Sequence, residues 1–349
     1  MADAERVLTE RELNRAVLAR QLLLERSKTS IPKALERIGG IQAQYAPSMY
    51  VGLWTRLDGI EVEQLTRALE RGSVVQGTLL RSTIHLVTPG DWWTWSAATR
   101  ERRREDWLRS RKGVATAKEL AGIARKVRAR LGDGPIGRKE LQEMVGKGAP
   151  GISAINAWLD LVRVPPSGTW DRRRADEFAL ADEWIGADPK PAKGEATTAL
   201  VESYLRGFGP AAPNEIADWA GLPMGPVKAA LSGLELRRFR AEDGAELVDL
   251  PRMPIPDGEI EAPARLLPVW DATTLAHARR GQILPEEHRS KVFSTKTPQS
   301  INTFMVDGQI AGGWKLEKGK VKLDPFGRLD KAARRELDQE AERLASFAS

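Results

Sequence analysis

The stretch Gly134-Pro-Ile-Gly-Arg-Lys-Glu-Leu-Gln-Glu-Met-Val-Gly146 recurs 75 residues later as Gly209-Pro-Ala-Ala-Pro-Asn-Glu-Ile-Ala-Asp-Trp-Ala-Gly221. The copies align without gaps and share the opening Gly-Pro, a Glu before an aliphatic residue, an acidic residue and the closing glycine. This pattern is typical of a turn, a short helix and a glycine cap at the helix C-terminus. An internal repeat indicates architecture before any single motif does.

Apolar periodicity surrounds both copies of the repeat. Around the first copy it predicts helices over residues 117–131, 138–145 and 152–162, then a wing-like segment over 164–180. Around the second copy it predicts a helix ending near Phe208 and another marked by Val227, Ala230, Leu231 and Leu234. A strand over 236–240, a turn at Glu242-Asp-Gly244 and a strand over 245–250 follow. Three short helices and a hairpin form the order of a winged helix.

The N-terminal region carries a looser version of this unit. Thr9-Glu-Arg-Glu12 is a capping box that predicts a helix to Glu25, and Pro47 suits the first turn of another helix. Further helices are predicted over 31–38 and 62–69, ended by Gly39-Gly40 and Gly72, with strands over 74–76 and 84–87. Beyond residue 264 the pattern predicts strands over 301–306, 309–315 and 321–323 and a helix over 330–345.

The predicted fold class is therefore α+β, mainly α, with three tandem winged-helix domains. The first domain spans residues 1–112 and includes the candidate site and a connecting helix. The second spans 113–190, and the third spans 191–349 together with a C-terminal β-hairpin extension.

Composition excludes several classes of function. The 349 residues include 54 Lys and Arg against 48 Asp and Glu, a net charge of +6, and 41% hydrophobic residues, so the chain is not disordered. The absence of cysteine excludes thiol nucleophiles, Cys-ligated zinc and iron–sulfur clusters. Gly132-Asp-Gly-Pro-Ile-Gly137 matches a dinucleotide fingerprint in letters, but a predicted helix precedes it instead of a strand. We therefore expect no cofactor, and three histidines offer little for a metal site.

No membrane association is predicted. The longest uncharged stretch, residues 38–55, includes Gly39, Gly40, Gln42, Gln44 and Pro47, and is too polar to cross a bilayer. The N-terminus lacks a basic-then-apolar signal pattern. We expect a soluble, cytoplasmic protein that acts as a monomer.

The candidate site is Ile41-Gln42-Ala43-Gln44-Tyr45, between a Gly-Gly helix stop and a helix begun by proline. Such a linker is expected to be extended, so that side chains two positions apart point the same way. Gln42 and Gln44 would then present two carboxamides on one side, with Ile41 and Ala43 in the core. From spacing alone, the simpler interpretation is that both amides only satisfy backbone groups in a loop.

Basic residues offer candidate contacts to DNA phosphates. Arg100, Arg103 and Arg104 follow the aromatic run Trp92-Trp93-Thr-Trp95, but acidic residues among them allow a solvated, ion-paired helix face equally well. The predicted wing of the third domain carries three more candidates: Arg237, Arg238 and Arg240. In the first domain Arg81 and His85 are expected to share one strand face, where His85 either contacts sugar or phosphate or packs in the core.

The motif Gln42-Ala43-Gln44 resembles the Gln-aliphatic-Gln signature of AlkZ-like bacterial DNA glycosylases, which belong to the winged-helix family that also contains the YcaQ-like enzymes. The YcaQ-like branch has Asp as the third residue of the motif, so Gln44 is similar to the AlkZ-like branch. Further stretches resemble family blocks in the same order: Arg81-Ser-Thr-Ile-His-Leu-Val87, Tyr204-Leu-Arg-Gly-Phe-Gly-Pro210, Leu266-Leu-Pro-Val-Trp-Asp271, and Phe304-Met-Val-Asp-Gly-Gln-Ile-Ala-Gly312 with Trp314. The resemblance covers most of the chain and is weakest over residues 110–190.

This resemblance implies a C-shaped clamp of three winged helices with the glutamine motif on its concave surface. It implies a DNA glycosylase that hydrolyses the N-glycosidic bond of N7-alkylguanine adducts in double-stranded DNA, with Gln42 and Gln44 as catalytic residues. It further implies unhooking of interstrand crosslinks, and repair of, or self-resistance to, DNA-alkylating natural products.

The chemistry is compatible with two neutral amides. An N7-alkylated purine is already cationic and leaves without a strong general acid, so the protein has to orient water and stabilise an oxocarbenium-like sugar. The motif contains no lysine, which predicts a monofunctional glycosylase without a Schiff base. It also contains no carboxylate, so Asp271 is a candidate distant acid, and His85 is a second candidate accessory residue.

The sequence is also compatible with two other functions. A non-catalytic winged-helix DNA-binding regulator would bind undamaged duplex tightly and release no base. A protein that sequesters the alkylating compound would bind that compound without DNA.

Overall fold

The computed structural model describes residues 4–146, 151–277, 281–293 and 300–349, and its fold is mixed α/β. The first elements are β1 (Val7–Leu8) and α1 (Glu10–Arg20). The predicted capping box is present, because Thr9 Oγ1 accepts a hydrogen bond from the Glu12 amide (3.1 Å) and the Glu12 carboxylate accepts one from the Thr9 amide (2.9 Å). The helix ends at Arg20, earlier than predicted, because Leu22 adopts a left-handed conformation (φ 58°) that a helix interior does not allow.

One order of elements occurs three times along the chain: helix, short strand, helix, helix and a two-stranded hairpin. The first unit (residues 31–87) contains α2 (Ile31–Ile38), β2 (Ile41–Gln42), α3 (Ala46–Trp54), α4 (Val62–Glu70), β3 (Val75–Thr78) and β4 (Ile84–Val87). After α5 (Pro89–Ser110), the second unit (residues 117–180) contains α6 (Ala117–Leu131), β5 (Ile136–Gly137), α7 (Arg138–Val145), α8 (Gly151–Trp158), β6 (Leu161–Arg163) and β7 (Glu177–Leu180). After α9 (Ala181–Trp184), the third unit (residues 193–249) contains α10 (Lys193–Phe208), α11 (Pro213–Ala220), α12 (Met224–Ser232), β8 (Arg237–Ala241) and β9 (Glu246–Asp249). In the third unit Ala211 replaces the short strand and forms a single bridge to Val248 of β9.

The predicted helices over 117–131 and 138–145 are confirmed, whereas the predicted helix over 152–162 is too long. It ends at Trp158, and residues 161–163 form β6. Leu159 and Val162 continue the apolar spacing of the helix, but β6 is a central strand hydrogen-bonded on both sides, to β3 and to β7. Pairing with two neighbours therefore overrides the local periodicity.

The first two units share one six-stranded sheet with the order β2-β4-β3-β6-β7-β5. The seam between them is the antiparallel pairing of β3 with β6, which places Gln76 opposite Arg163 and Gly77 opposite Val162. The third unit has a separate sheet, in which β1 from the N-terminus pairs in parallel with β8. Neither the pairing of β3 with β6 nor the pairing of β1 with β8 could be predicted from the internal repeat.

The C-terminal region forms an antiparallel four-stranded sheet closed by a helix. Its elements are β10 (Arg265–Leu267), α13 (Glu286–Val292), β11 (Thr303–Val306), β12 (Gln309–Glu317), β13 (Lys320–Pro325) and α14 (Lys331–Phe347). The predicted hairpin around Asp307-Gly308 is confirmed, and β12 and β13 are longer than predicted. Among the described residues, no helix is both long enough and apolar enough to cross a bilayer.

Buried aromatic residues join the first and third units. Trp92 and Trp95 of α5 are almost completely buried in a cluster with Val87 of β4, Tyr204 of α10 and Trp219 of α11. The helices α5 and α10 pack against each other along this cluster. As predicted, most tryptophans are core residues.

Buried ion pairs connect the N-terminal region with distant parts of the chain. Arg20 pairs with Asp249 (2.7 Å) and Arg26 with Glu340 (2.6 Å), and all four side chains are buried. Arg15 of α1 is also buried and binds Asp307, whose side chain is partly exposed. The N-terminal region is therefore held by residues of the third unit and of the C-terminal sheet.

Candidate active site

A double-glycine turn leads directly into the glutamine motif. Gly39 (φ 75°) caps the C-terminus of α2 in the left-handed conformation, and Gly40 (φ 69°) continues the turn into β2. A Cβ on Gly40 would lie 2.9 Å from Val87 Cγ1 and 3.0 Å from Trp95 Cη2. Only glycine fits this close approach, so the sequence Gly39-Gly40 fixes where the strand carrying Gln42 begins.

The glutamine motif has the alternation expected of an extended chain. Ile41 and Ala43 are buried, whereas Gln42 is half-buried and Gln44 is exposed. Gln42 Nε2 donates a hydrogen bond to Gln44 Oε1 (3.2 Å), so both amides lie on the same side of the strand. The Ala43 amide donates to the Ile84 carbonyl (2.8 Å) and anchors the motif to β4. Among the described residues, the Gln42 side-chain carbonyl and the Gln44 amino group have no further hydrogen-bond partner.

His85 lies directly opposite Gln42 in the pairing of β2 with β4. Its Nδ1 is 3.1 Å from the Thr83 carbonyl, and its ring packs edge-on against Trp95 with centroids 6.1 Å apart. Burial, assisted by the nearby charge of Arg81, lowers the pKa of His85 to about 3, so the ring is neutral at physiological pH. The packed interpretation of this histidine fits the structure. The prediction that Arg81 and His85 share one strand face is wrong, because Arg81 lies in a turn before β4 begins.

Asp271 does not face open solvent. Its two carboxylate oxygens accept hydrogen bonds from Arg56 Nη1 (2.8 Å) and Nη2 (2.9 Å), and Thr273 Oγ1 donates a third (2.8 Å). Burial alone would raise the pKa of Asp271, but the Arg56 guanidinium and the Thr273 hydrogen bonds hold it below its usual range. A buried carboxylate occupied by arginine cannot take a proton from a substrate water, so the distant-acid hypothesis does not fit this placement.

The arginines of α5 mainly hold protein groups. Arg103 is buried and donates to the carbonyls of Thr78 and Asn156 (3.0 Å each), which contradicts its predicted contact with DNA. Arg100 pairs with Asp160 (2.8 Å), and Arg104 donates to the Ala157 carbonyl (2.8 Å). These arginines join α5 to the end of α8, so the ion-paired interpretation of the cluster fits better than a DNA-facing one.

The remaining predicted arginines differ in their surroundings. Arg237 pairs with Glu5 (2.9 Å) and lies over the ring of Phe239, whereas Arg238 and Arg240 are exposed on β8. Arg81 donates to the backbone carbonyl of Trp219, and it is 3.4 Å from the carbonyl of Asp218. Arg81 is also exposed but bonds to α11, whereas Arg238 and Arg240 make no side-chain hydrogen bond within the described part of the chain.

Residues 35–347 match the family model of DNA glycosylase AlkZ-like proteins. The chain belongs to the AlkZ-like DNA glycosylase family. It is therefore an enzyme of DNA repair, a DNA glycosylase, as the glutamine motif and its neighbouring blocks predicted.

Two similar proteins come from Streptomyces sahachiroi. The first is a curated protein called interstrand DNA cross-link repair glycosylase, which is 23% identical over 360 residues and aligns with 94% of this chain and 93% of its own length. The second is the solved structure of the DNA glycosylase AlkZ, which superimposes with a TM-score of 0.81 at 20% identity. That superposition covers 98% of this chain and 97% of the solved one, so the two share their fold over nearly the whole length.

A contact at the end of the motif was missed from the sequence. Arg173 Nη1 donates to Tyr45 Oη (3.0 Å), which brings the hairpin of the second unit beside the motif of this AlkZ-like glycosylase. Arg173 and its neighbour Arg174 are exposed. The run Arg172-Arg173-Arg174 was a visible signal, but only the fold places it next to Tyr45.

Asp91 has a pKa raised toward neutrality, and no sequence motif marks it. Burial raises the pKa of Asp91, in the first turn of α5, to about 6, and the hydrogen bond from Thr88 opposes this only in part. The charged groups around it are Glu36 and Arg206. No contact in the described part of the chain joins Asp91 to Gln42 or Gln44, so we assign it no role at the motif.

The described residues contain no group of three or more His, Cys, Asp or Glu side chains that could hold a metal ion.

Proposed function

We propose that this AlkZ-like glycosylase hydrolyses the N-glycosidic bond of N7-alkylguanine in double-stranded DNA and also unhooks interstrand crosslinks formed at that atom. The hydrogen-bonded pair Gln42–Gln44 is the observation that carries the proposal. The name of the curated Streptomyces relative, interstrand DNA cross-link repair glycosylase, supports the crosslink as a substrate. Such an activity serves repair of, or self-resistance to, DNA-alkylating natural products.

The proposed architecture is a C-shaped clamp of three winged-helix domains, spanning residues 1–112, 113–190 and 191–349, that acts as a monomer on DNA in the cytoplasm. The order helix, strand, helix, helix and hairpin in residues 31–87 and 117–180 supports this division, as does the same order in residues 193–249, where a single bridge replaces the strand. A clamp around an open groove suits a crosslinked base, because a base bonded to both strands cannot turn freely into a closed pocket.

The reaction breaks the C1′–N9 bond of a purine that already carries a positive charge. The bonding electron pair moves into the purine ring and neutralises it, so the base leaves without a proton donor. The oxygen of a water molecule forms the new bond to C1′, and the proton that this water loses passes to solvent. The products are free N7-alkylguanine and an abasic deoxyribose.

Gln42 and Gln44 are proposed to act by position and by their dipoles. Their mutual hydrogen bond leaves one carbonyl and one amino group for other partners. The carbonyl can accept a hydrogen bond from the attacking water and faces the positive charge that develops on the sugar, and the amino group can donate to a sugar or phosphate oxygen. Neutral amides keep their hydrogen-bonding capacity across the physiological pH range.

Exposed arginines of two hairpins are proposed as phosphate contacts. Arg238 and Arg240 lie on β8 of the third unit, and Arg173 and Arg174 lie beside the motif. Arginine binds phosphate oxygens through paired N–H groups, so contacts of this kind would orient the duplex without reading its sequence.

A base-release assay tests the proposal. One duplex carries a single N7-methylguanine and another a nitrogen-mustard crosslink, and alkali-labile abasic sites are quantified with enzyme in excess over DNA. Gln42→Ala and Gln44→Ala are each expected to lower the rate constant by about 10²-fold, as removal of one fixed hydrogen-bonding group does in other active sites. Gln339→Ala, an exposed glutamine on α14, is the matched control and should retain the wild-type rate.

Equal product from wild type and both motif variants would refute the proposal. Tight, salt-dependent binding to undamaged duplex without base release would instead favour the regulator. Calorimetric binding of free alkylator without DNA would favour sequestration.

A further inference from the structure

The turn between β3 and β4 has a strained backbone. We call residues 79–83 the Arg81 turn. Arg81 (φ 49°) and Ser82 (φ 59°) both adopt the left-handed conformation, although neither is glycine. Two consecutive residues of this kind persist only where their surroundings hold them in place.

Contacts with the third unit hold this turn. Arg81 Nη1 donates to the Trp219 carbonyl, and it is 3.4 Å from the Asp218 carbonyl, both in the last turn of α11. A cation at a helix C-terminus is favourable because the terminal carbonyls carry partial negative charge. Gly221 caps the same helix (φ 67°), and a Cβ at this position would lie 3.0 Å from Arg81 Cγ. A side chain at position 221 would therefore force Arg81 to shift, because the Arg81 turn packs closely against the end of α11.

A second set of contacts leads from α11 back to the glutamine motif. The ring of Trp219 packs edge-on against Trp95 (5.3 Å between centroids), and Trp95 packs edge-on against His85 (6.1 Å). His85 lies opposite Gln42, and it is on the same hairpin as Arg81. The β3–β4 hairpin supports the motif and is thus held by the third unit at two places. Arg81 makes the contact at the turn of the hairpin, and His85, through Trp95, makes the contact at its middle.

We propose that Arg81 is a positioning residue that fixes the motif segment, residues 41–44, which carries Gln42 and Gln44, against the third unit. The proposal rests on the proposed function of these glutamines. It differs from the sequence-based prediction, in which Arg81 contacts a DNA phosphate. Arg81 retains N–H groups that do not bond to α11, so a phosphate contact is the competing interpretation and the experiment has to separate the two.

Binding and chemistry are measured separately in wild type, Arg81→Ala, Arg81→Lys and Arg238→Ala. A positioning role predicts that Arg81→Ala lowers the rate constant of base release at saturating enzyme by about 10²-fold, as small misplacements of reacting groups do. The dissociation constant for duplex and its salt dependence should not change. Arg81→Lys keeps a donor for the α11 carbonyls and should recover much of the rate. Arg238→Ala should behave as a phosphate contact, with the slope of log K against log salt reduced by about 1.

Hydrogen exchange provides a readout that does not depend on activity. The Ala43 amide, bonded to the Ile84 carbonyl, reports on the motif strand, and the Val248 amide, bonded to the Ala211 carbonyl, reports on the third unit. Arg81→Ala should accelerate exchange at Ala43 and leave Val248 unchanged. If Arg81→Ala does not fold, Gly221→Ala is used instead, because the added methyl group would displace Arg81 from the end of α11. Gly244→Ala is its control, since Gly244 (φ 86°) has an equally unfavourable backbone for alanine but no neighbour within 4 Å.

The outcomes are distinguishable. Weaker DNA binding and a smaller salt slope in Arg81→Ala, with an unchanged rate at saturation, would make Arg81 a phosphate contact and overturn the proposal. Unchanged exchange at Ala43 would also overturn it. If the wild-type protein releases no base, the proposed function fails, and exchange at Ala43 alone then decides whether Arg81 fixes the strand.

Discussion

At the scale of single residues, His85 makes stability depend on pH. Its pKa is lowered from 6.5 to about 3, first by burial and then by Arg81. Between these two pH values His85 binds a proton in the unfolded chain but not in the folded protein. The free energy of unfolding is therefore fully retained above pH 6.5 and decreases as pH falls toward 3. His85→Gln should make unfolding free energy less dependent on pH between 6.5 and about 4, by up to about 1.4 kcal/mol per pH unit.

Urea unfolding at a series of pH values measures this effect, with the half-buried His288 changed to Gln as the control. An unchanged pH dependence in His85→Gln would show that the ring is not held neutral. Because a neutral His85 does not titrate above pH 5, the rate of base release should show no inflection from this residue near its ordinary pKa.

Asp271 is expected to matter for stability and not for chemistry. Asp271→Asn leaves the buried Arg56 without its counter-charge and should lower the free energy of unfolding by about 3–5 kcal/mol. The pKa of Asp271 is lowered below 3.8 in the folded protein, so its contribution is present above that pH and is lost as pH falls below it. Asp338→Asn, in an exposed pair with Arg334 (3.3 Å), is the control and should change stability by less than about 1 kcal/mol.

Thermal unfolding and base release are measured on the same preparations. Folded Asp271→Asn should release base at the wild-type rate. A large loss of rate with an unchanged unfolding midpoint would restore Asp271 as an acid in the reaction.

At this scale the sequence predicted the direction of the motif side chains but not the surroundings of the accessory residues. The alternation of Gln42 and Gln44 follows from two-residue periodicity, which is a local property. The partner of Asp271 is Arg56, 215 residues away in the chain, and no spacing rule relates them.

At the scale of elements, Arg103 joins two helices to a strand. From α5 it donates to the last residue of β3 and to Asn156 of α8, and burial lowers its pKa to about 10. Arg103→Ala leaves these buried carbonyls unsatisfied, at about 1–3 kcal/mol each. We expect a lower unfolding midpoint, and unchanged affinity for duplex when the protein is folded.

Arg109→Ala is the matched control, because Arg109 lies on the same helix with a side chain 65% exposed. Chemical unfolding and fluorescence anisotropy with labelled duplex provide the two measurements. A smaller salt slope in Arg103→Ala without loss of stability would contradict the structural role.

The ends of helices were predicted correctly from the sequence where a cap or a glycine marks them. They were predicted incorrectly where pairing between strands determines the local structure. The ends of α2 and α7 are at glycines, and both were predicted. The C-terminus of α8 has no such signal, and residues 161–163 became a strand because β3 and β7 lie on either side of them.

At the scale of the whole molecule, the seam between the first two units depends on Gly77. A Cβ there would lie 2.1 Å from Trp92 Cζ3 and 3.2 Å from the Leu161 carbonyl. Trp92 is almost completely buried and cannot move aside without disturbing the core, so Gly77→Ala should destabilise the protein by about 1–3 kcal/mol.

Gly122→Ala is the control for this change. Gly122 lies in α6, and a methyl group added to it would have no neighbouring atom within 4 Å, so alanine there should stabilise the protein by about 0.5–1 kcal/mol. Calorimetric unfolding distinguishes the two variants. Equal midpoints for Gly77→Ala and wild type would mean that the seam tolerates a larger residue. The repeat predicted the order of elements within each unit, but a pairing between units lies outside what one repeat can specify.

The buried arginines of the N-terminal region have a consequence for biosynthesis. Arg15, Arg20 and Arg26 reach their native partners at Asp307, Asp249 and Glu340, which the ribosome adds more than 200 residues later. Until these partners have been synthesised, the buried ion pairs cannot form, so α1 cannot dock fully. We therefore expect docking of α1 to be a late step of folding, with the segment around Arg15, Arg20 and Arg26 sensitive to protease until Asp249, Asp307 and Glu340 are present.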